Sequence, residues 1–460
     1  MALERSLIDK YGVDTTGPYY TSYPTLGEWS DSFTEQDFAR GLEKFIAEEE
    51  EDNSFAFYVH YPYCVKLCHF CACNSYVTNR KERKTEALDA LISEMDFLDQ
   101  FFRNRSFTPS VREIHLGGGS PSYLDLDDFD RLIKKIRATV DLSQVSEFAL
   151  EVDPRTVNPS TMHHYADQGI DRISFGIQDF DPRVQEAINR VQSQELVESL
   201  LTPEIRKRFR SVNFDILYGL PLQTRESFQR TIEIVKRFAP DRVTLLRYAH
   251  LPHVKKHMRL INEAEMVDNE EKTLMFLTAV EQLLGGGYEY IGIDNFAKPH
   301  DTLAQAFKHK HVWRNFIGFT PGRVHNMIGV GPSATSVFGD YYSQNVYDLF
   351  AYYKAGVGTR FPIERGHLMS QDDVIRREAI FRILCDLSLD WNELGEKFQI
   401  NPERYFEEEK SVLPMFVEDG LLTSSKDVIQ VTPKGRFFIR HIAKVFDVYL
   451  RKKAYQIHGT

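Results

Sequence analysis

The chain has 460 residues, of which 42% are hydrophobic and 27% charged, enough for one large domain with its own core and a smaller second one. Its formal net charge of −11 argues against a general binder of nucleic acid or anionic membranes. No apolar run approaches the length of a membrane span, and the first residues lack the apolar core and cleavage site of a signal peptide. These features predict a cytoplasmic protein.

Short apolar runs alternate with helical stretches from residue 55 onward. Their composition predicts six strands, at 55–60, 113–117, 148–152, 172–177, 212–217 and 243–248. Helical spacing of apolar residues predicts helices between them, at 84–102, 127–140, 159–168, 194–209 and 226–238. Successive β-then-α units give parallel strands with right-handed crossovers. Six units predict an α/β fold, an incomplete (β/α)6 barrel, because a closed barrel needs eight.

The pattern divides the chain into four segments. Residues 1–54 precede the first strand and carry tyrosines and prolines, which predicts an ordered N-terminal arm. Residues 55–290 are expected to form the barrel, and residues 291–360 a less regular extension that lines the active site. Residues 361–460 predict a mainly helical, winged-helix-like domain that covers the barrel mouth. Nothing in this domain is strongly basic, so DNA binding is not expected.

Four of the five cysteines fall within ten residues, at Cys64, Cys68, Cys71 and Cys73, whereas Cys385 lies far downstream. Structural zinc usually takes two separated pairs of ligands, and no second pair follows. Disulfide staples belong mainly to small secreted domains, and inert buried thiols are a further alternative. Closely spaced cysteines also hold iron–sulfur clusters, and a run of three leaves one iron open to another ligand. The spacing favours the cluster.

Glycine and polar residues follow several predicted strands, where the sites of such sheets lie. Gly118, Gly119 and Ser120 come after the second strand, and glycine lets backbone groups approach a ligand closely. A tight turn is the alternative interpretation. Glu151 ends the third strand, where a carboxylate can bind ribose hydroxyls or an ammonium group. Asp153 is better suited to capping the next helix.

The remaining candidates are weaker when taken singly. Gln178 ends the fourth strand and Arg190 lies in a following loop. Asp215 lies inside an apolar strand and needs either an ion-pair partner or a ligand; its surroundings favour the ligand. His60, just before the cysteines, and His250, after the sixth strand, are better explained as core or loop histidines than as catalytic ones when taken alone.

Cys64, Cys68 and Cys71 match the CxxxCxxC motif of the radical S-adenosylmethionine (SAM) superfamily. Over nearly its whole length the chain resembles the oxygen-independent coproporphyrinogen III oxidase family of haem biosynthesis. The resemblance rests on residues 58–74, 117–124, 151–155, 176–180, 215–221, 248–252 and 314–316, and it extends into the C-terminal domain. Cys73 adds to it, because the related haem chaperones carry an aromatic residue there.

The resemblance implies a 4Fe-4S cluster held by Cys64, Cys68 and Cys71, with Cys73 beside it. Contacts to the SAM that meets the cluster are implied for Tyr58, Gly118, Glu151 and Thr335. A second SAM is also implied, with contacts from Phe70, Gly119, Ser120, Gln178, Arg190, Asp215 and Ala249. Catalytic roles are implied for Tyr58, His60, Cys73, Glu151 and Phe316.

The reaction implied by the resemblance is the oxidative decarboxylation of two propionate side chains of coproporphyrinogen III to vinyl groups, giving protoporphyrinogen IX. A SAM-derived deoxyadenosyl radical removes a hydrogen, carbon dioxide leaves and one electron passes to an acceptor. The protein orients these reactants and keeps out water and oxygen. The implied partners are the porphyrinogen and an electron donor such as flavodoxin or ferredoxin, for a monomer that binds neither nucleic acid nor membrane.

Several positions depart from the family pattern, in the walls around the substrate and SAM, and His325 and Asn326 replace a usual Thr-Asp pair. Tyr19 stands where a basic residue is usual, Ile317 where glutamine is usual and Thr335 where an apolar residue is usual. Losing a buried cation opposite a carboxylate costs about 2–5 kcal/mol, and Arg247 offers a replacement charge. The departures favour one alternative, a radical SAM paralogue such as a methylase or haem-modifying enzyme. The other alternative is a non-catalytic haem-binding protein, and the presence of Cys73 argues against it.

Overall fold

The computed structural model describes residues 5–11, 18–48 and 54–458. Its strands are β1 Phe55–Tyr61, β2 Tyr63–Cys64, β3 Tyr76–Val77, β4 Val111–Gly118, β5 Glu147–Val152, β6 Arg172–Gln178, β7 Ser211–Tyr218, β8 Arg242–Arg247, β9 Glu289–Gly292, β10 Asn295–Ala297, β11 Trp313–Asn315, β12 Gly318–Thr320, β13 Asn326–Val330, β14 Thr335–Phe338, β15 Tyr341–Asn345, β16 Ile363–Leu368, β17 Ser388–Asp390, β18 Leu422–Ser424 and β19 Val428–Val431.

The α-helices lie mostly between and after these strands. They are α1 Arg5–Tyr11, α2 Glu35–Ala47, α3 Lys81–Arg103, α4 Leu126–Thr139, α5 Pro159–Asp167, α6 Pro182–Ala187, α7 Gln194–Leu200, α8 Pro203–Arg206, α9 Arg225–Phe238, α10 Asn269–Gly285, α11 Thr302–Lys308, α12 Leu349–Lys354, α13 Gln371–Asp386, α14 Trp391–Phe398, α15 Pro402–Tyr405, α16 Glu407–Glu418, α17 Ile439–Ala443 and α18 Val448–His458. None of the described helices is long and apolar enough to cross a membrane.

One twelve-stranded sheet dominates the molecule. Its centre is the parallel series β1-β4-β5-β6-β7-β8, in chain order. These are the six predicted strands, each observed within two residues of its expected ends, so the incomplete parallel barrel is confirmed. Helices cover the outer face of the series, because βαβ crossovers place them there.

Side chains alternate along the central strands between the outer helices and the barrel interior. Apolar residues point outward into the main core, as in the pair Ile114 and Leu116 of β4 or Phe214 and Ile216 of β7. The positions between them carry polar side chains that meet one another inside the barrel: His115, Glu151, Ser174, Asn213, Asp215 and Thr244. This alternation supplies the barrel with a polar lining.

The predicted helix at 194–209 is wrong. Two short helices, α7 and α8, occupy this stretch and are separated at Leu201 and Thr202. Pro203 explains the break, because proline disfavours a helical conformation at the residue before it and lacks an amide hydrogen. Thr202 instead caps α8 by accepting a hydrogen bond from the amide of Ile205.

The stretch 291–345 is more regular than its sequence predicts. Strand β13 adds to the sheet beside β1, in parallel, and β14, β15 and β16 extend that edge in antiparallel order. At the opposite edge β10 pairs with β8 and β9 with β10, both antiparallel. The sheet therefore has added strands on both sides of the six-stranded centre.

The C-terminal part is mainly helical and has its own core, built around α13 with Phe381, Leu384, Trp391 and Phe446. The predicted hairpin is present as β18 and β19, to which β17 adds a third strand. The described part of the N-terminal arm lies against this module, since the Tyr20 hydroxyl donates to an Asp447 carboxylate oxygen at 3.0 Å. Residues 1–4, 12–17 and 49–53 of the predicted arm lie outside the described residues.

Candidate active site

The cysteine loop begins where β1 ends. Strands β2 and β3 close its base, with Cys64 paired to Val77 in parallel register. All the cysteines of the loop are free thiols; Cys68 is buried, Cys64 and Cys71 are half-buried, and Cys73 is exposed. The run of four cysteines is therefore held at the carboxyl end of the first barrel strand.

Two arginines face the buried thiol of Cys68. Arg155 Nη2 and Arg190 Nη1 each lie 3.6 Å from its Sγ. Asp153 holds both guanidinium groups, at 2.7 and 3.0 Å. Its carboxylate also accepts from the Arg155 amide and so caps the single turn 154–156. The predicted cap of the next helix is wrong, because Asn158 caps α5. Two guanidinium groups thus place positive charge beside the Cys68 sulfur, where it can offset the charge of a thiolate bound to iron.

The other thiols have different surroundings. A hydrogen bond from Cys73 lowers the pKa of the Cys71 thiol, whereas burial raises the pKa of Cys64 to about 12. A coordinating cation deprotonates a thiol outright, so both can serve as ligands. Among the described residues no three Cys, His, Asp or Glu side chains are grouped to hold a single metal ion. A 4Fe-4S cluster would take one thiolate on each of three irons, which closely spaced cysteines can supply.

The glycine turn after β4 packs directly against the base of the cysteine loop. The Gly119 amide donates to Tyr61 O at 2.7 Å and the Ser120 amide to Tyr63 O at 3.0 Å. A Cβ on Gly119 would lie 2.7 Å from the Pro62 backbone. These amides are engaged by the protein itself, which supports the tight-turn interpretation for 119 and 120. The Ser120 hydroxyl is buried against Ser122.

Gly118 links the turn to a carboxylate. Its φ is +107°, a conformation that side-chain-bearing residues rarely adopt, and a Cβ there would touch the His60 ring. The Gly118 amide donates to Glu151 Oε2 at 3.2 Å. Gly118, His60 and Glu151 thus lie together at the carboxyl ends of three adjacent strands.

His115 supports Glu151 from inside the barrel, and sequence reasoning missed it. Arg172 Nη2 lies 3.1 Å from His115 Nδ1, and since a guanidinium only donates, Nδ1 accepts. The proton is then on Nε2, which donates to Glu151 Oε1 at 2.9 Å. Burial opposes ionisation of Glu151, but the hydrogen bonds from His115 and Gly118 outweigh it and hold its pKa below the ordinary value. Glu151 is an anion open to a cationic ligand.

Tyr58 and His60 connect this carboxylate to the cysteine loop. His60 Nε2 lies 2.9 Å from the Asn74 carbonyl and must donate to it. The Tyr58 hydroxyl, 3.1 Å from His60 Nδ1, therefore donates to that nitrogen. Burial lowers the pKa of His60, which keeps its ring neutral. The structure brings these two predicted residues together with the residue that follows Cys73.

Two further predicted residues lie on the next strands, β6 and β7, and a third lies in the loop after α6. Asp215 accepts hydrogen bonds from Ser174 at 3.0 Å and Asn213 at 2.8 Å. Burial, aided by the charge of Glu151, raises its pKa. Gln178 ends β6 with φ +70°. Arg190, besides its contacts to Asp153 and Cys68, donates to the Gly176 carbonyl at 2.7 Å.

The last predicted residues line the periphery. Phe70 packs against an apolar cluster that includes Leu217, Tyr248 and Met258, and Ala249 is exposed beyond β8. Phe316 packs against Trp29 in the same apolar cluster as Tyr58. Thr335 is buried, and a Cβ on Gly329, the residue paired with Tyr58, would meet its carbonyl.

The structure shows which side chains contact the residues that depart from the family pattern. The Arg440 guanidinium lies 4.2 Å above the Tyr19 ring. Both line a small cavity of about 30 Å³ between barrel and C-terminal module. Arg247 Nη2 donates to Asn269 Oδ1 at 2.6 Å, toward the start of α10. Ile317 packs beside Phe316 in the cluster around Trp29. Arg440, more than Arg247, places positive charge beside Tyr19.

Comparison with known proteins agrees with this geometry. Residues 58–235 match the family model of the Radical SAM superfamily, and residues 369–438 match that of the HemN C-terminal domain. The chain is 37% identical over 449 residues to the oxygen-independent coproporphyrinogen III oxidase of Escherichia coli, with 98% of this chain and 96% of the relative covered. It is 36% identical to the protein of the same name from Helicobacter pylori, over 95% and 94% of the two chains.

A solved structure extends the agreement to the fold. The structure of coproporphyrinogen III oxidase from Escherichia coli, described as a radical SAM enzyme, matches with a TM-score of 0.89 at 36% identity. The match covers 97% of this chain and 99% of that one. The predicted fold class and the predicted family are both confirmed. The chain belongs to the oxygen-independent coproporphyrinogen III oxidase family of radical SAM proteins.

Proposed function

We propose that this protein converts coproporphyrinogen III to protoporphyrinogen IX without oxygen, by oxidative decarboxylation of two propionate side chains to vinyl groups. The observation that carries the proposal is the near full-length similarity to oxidases of that name, 37% identity over 98% of the chain. Retention of the cysteine loop and of its polar surroundings supports it. The protein is then a haem-biosynthetic oxidoreductase that works in the cytoplasm as a monomer.

Three thiolates, those of Cys64, Cys68 and Cys71, would hold the 4Fe-4S cluster. With SAM bound and one electron taken from an external reductant, the cluster would supply the radical chemistry, a deoxyadenosyl radical for removal of one hydrogen atom from the propionate β-carbon. Loss of carbon dioxide and of one electron to an acceptor then leaves the vinyl group. Arg155 and Arg190 lie beside Cys68 and offset the negative charge of the thiolates.

Glu151 is proposed to bind the ammonium group of SAM. It is held ionised by His115 and by the Gly118 amide, and its outer side is open. A charge-assisted hydrogen bond to an ammonium group contributes about 1.5–3 kcal/mol. Tyr58 and His60 fix the neighbouring wall through their mutual hydrogen bond, and Thr335 lies behind them. Cys73 and Phe316 remain proposed catalytic residues beside that wall.

A second SAM is proposed beside the first, over the ends of β6 and β7. The residues assigned to it are Phe70, Gly119, Ser120, Gln178, Arg190, Asp215 and Ala249. Asp215 is the best suited of these, because its carboxylate meets only neutral donors and so has capacity for a ribose hydroxyl. Arg190 is engaged by Asp153 and Gly176, so we assign it a positioning role.

The substrate wall is proposed to use Arg440 in place of the basic residue that Tyr19 lacks. Its guanidinium lies on the Tyr19 ring, and a carboxylate and a guanidinium match in geometry. Tyr19 and Ile317 are also the observations that favour the second candidate function, a radical SAM reaction on another substrate.

The test is an anaerobic incubation of cluster-loaded protein with SAM, reductant and coproporphyrinogen III, followed by mass spectrometry. Two successive losses of the mass of formic acid, with matching deoxyadenosine, are expected. Deoxyadenosine without decarboxylated porphyrinogen would contradict the substrate and favour the paralogue. Absence of both products from protein with a full cluster would contradict the enzymatic function and favour a haem-binding protein.

A further inference from the structure

A basic and apolar surface borders the cysteine loop. The three most exposed large apolar side chains of the described residues are Val191 at 57%, Val254 at 62% and Leu260 at 63%. Single exposed apolar residues are ordinary on protein surfaces. These three, however, lie on two segments that both contact the cysteine loop, so they form part of one surface.

Hydrogen bonds join the two segments to the loop. From the segment with Val254 and Leu260, His257 Nε2 donates to the Cys71 carbonyl at 2.8 Å. From the same segment Lys255 Nζ donates to the Cys73 carbonyl at 2.9 Å. From the segment with Val191, Asn189 Nδ2 donates to the Leu67 carbonyl at 2.7 Å. The apolar residues are thus only a few residues from contacts to the peptides of the cysteine ligands.

The charge of this surface is opposite to that of the chain. Residues 251–262 include three lysine or arginine residues and no carboxylate, the next carboxylates being the exposed Glu263 and Glu265, although the whole chain has 67 acidic and 56 basic residues. Lys66, Lys256 and Arg259 are exposed, and none of them forms an ion pair with a described residue. We call the cluster-loop face the surface formed by Lys66, Val191, Val254, Lys256, Arg259 and Leu260.

We propose that the cluster-loop face docks an acidic one-electron carrier protein. The inference rests on the proposed function, because each reductive cleavage of SAM consumes one electron. The reduced partner is oxidised by one electron, and SAM takes that electron as its sulfur–C5′ bond breaks to methionine and a deoxyadenosyl radical. An apolar centre with a charged rim is the usual composition of a protein interface. Unpaired cations steer an acidic partner onto it.

The test uses an acidic flavodoxin as probe and the Lys256→Glu/Arg259→Glu double variant in the cluster-loaded protein. We expect flavodoxin affinity, measured by fluorescence anisotropy, to fall by at least about tenfold at low salt, and flavodoxin-driven deoxyadenosine formation to fall with it. Dithionite-driven deoxyadenosine formation should stay within about twofold, because a small reductant needs no docking surface. The matched control is Lys354→Glu/Lys426→Glu, which makes the same charge change at two exposed lysines outside this face.

Several results would overturn the docking proposal. They are unchanged flavodoxin affinity in the double variant, an equal loss in the control, or a parallel loss with dithionite. Zero-length carbodiimide cross-linking gives a second measurement, and we expect flavodoxin carboxylates to couple to Lys66 or Lys256. Cross-links confined to other lysines would also contradict it. The docking test measures deoxyadenosine formation and flavodoxin affinity, not conversion of a porphyrinogen. It therefore remains valid if coproporphyrinogen III proves not to be the substrate.

Discussion

A glutamate lies at each end of the barrel, and the two differ in exposure and in partners. The glutamate at the amino end is buried in ion pairs, whereas the one at the carboxyl end is partly exposed. At the amino end, Glu147 lies 2.7 Å from both Arg172 and Arg242, and its side chain is 5% exposed. Arg242 also reaches Asp301 at 2.8 Å. At the carboxyl end, Glu151 meets one histidine and one backbone amide, and its side chain is 40% exposed.

The difference separates charges that hold the fold from charges that are available to a ligand. A buried ion pair whose members satisfy each other leaves little capacity for a third partner. An ionised carboxylate with one open side keeps that capacity. Arg172 joins the two ends, because it contacts Glu147 below and His115 above.

The largest effect is expected at the carboxyl end, from loss of a cluster ligand. Cys68→Ser should lower SAM cleavage by at least about a thousandfold, to background, because radical generation belongs to the cofactor and the cofactor needs this thiolate. Iron content and deoxyadenosine formation are the measurements. Cys385→Ser, in the core of the C-terminal module, is the control and should keep its iron. Full iron content in Cys68→Ser would refute the assigned ligand.

At the amino end the expected effect is on stability. Arg242→Met leaves Glu147 and Asp301 buried without this cation, which should cost about 3–5 kcal/mol of unfolding free energy. Urea unfolding under anaerobic conditions measures it. The SAM affinity of the folded variant should be unchanged. If Arg242→Met bound SAM more weakly but kept its full stability, the amino end would serve the ligand and not the fold, which would contradict the proposal.

A matched pair of carboxylate variants tests the comparison most directly. Glu151→Gln should weaken SAM binding about 10- to 100-fold, since it replaces a charge-assisted hydrogen bond with a neutral one. Its unfolding free energy should change by less than about 1 kcal/mol. Glu147→Gln should instead lower the unfolding free energy and leave SAM affinity unchanged. Equal losses of stability in the two variants would remove the distinction.

Glu113 lies near the amino end of the barrel, and its ionisation is expected to make the stability of the protein depend on pH. Both of its carboxylate oxygens are buried without a hydrogen-bond partner among the described residues, and burial, aided by Glu147, raises its pKa from 4.5 to about 8. Between these values the folded state keeps a proton that the unfolded state has lost. Stability should therefore fall as pH rises, by up to about 1.4 kcal/mol per pH unit.

The variant Glu113→Gln should lessen this fall, because its amide stays neutral; a smaller fall remains from Glu94, whose pKa burial raises to about 7. Urea unfolding from pH 5 to 8.5 compares it with the wild-type protein, and Glu263→Gln, an exposed carboxylate, is the control. A wild-type stability that rises over this range would contradict the raised pKa.

The smallest effect is expected at Thr335, where the family carries an apolar residue. Thr335→Ile should change SAM affinity by less than about threefold, because it removes no charged group; the added methylene costs about 1–3 kcal/mol at most, in folding stability. Equilibrium binding of SAM measures it, with Glu151→Gln as the positive reference. A loss of SAM affinity as large as that of Glu151→Gln would contradict this expectation and show that Thr335 contributes directly to SAM binding.

Much of the barrel and of the cysteine site is predictable from local sequence. Alternating apolar runs locate six strands, and the ends of those strands locate Glu151 and the glycine turn. His115 is not predictable in this way, because a histidine between Ile114 and Leu116 resembles a core residue. Its role depends on the registry of β4 with β5 and β6, which brings Glu151 and Arg172 to opposite sides of its ring.

Long-range pairing is the other part that sequence patterns do not reveal. The strand with residues 326–330 lies among glycine, histidine and aromatic residues that have no clear alternation, and its partner β1 is far away in the chain. The helix at 194–209 failed for a local reason instead, since Pro203 outweighs the helical periodicity around it.

The pairing of β1 also bears on biosynthesis. One side of this strand, which leads into the cysteine loop, is completed by β4 soon after it is made, but the other side receives β13 only after residues 326–330 leave the ribosome. During that interval the strand is an open sheet edge, able to pair with another chain. A nascent chain therefore carries an exposed strand edge next to the cysteine loop until β13 is made, so iron delivered before that point would meet a partly assembled sheet.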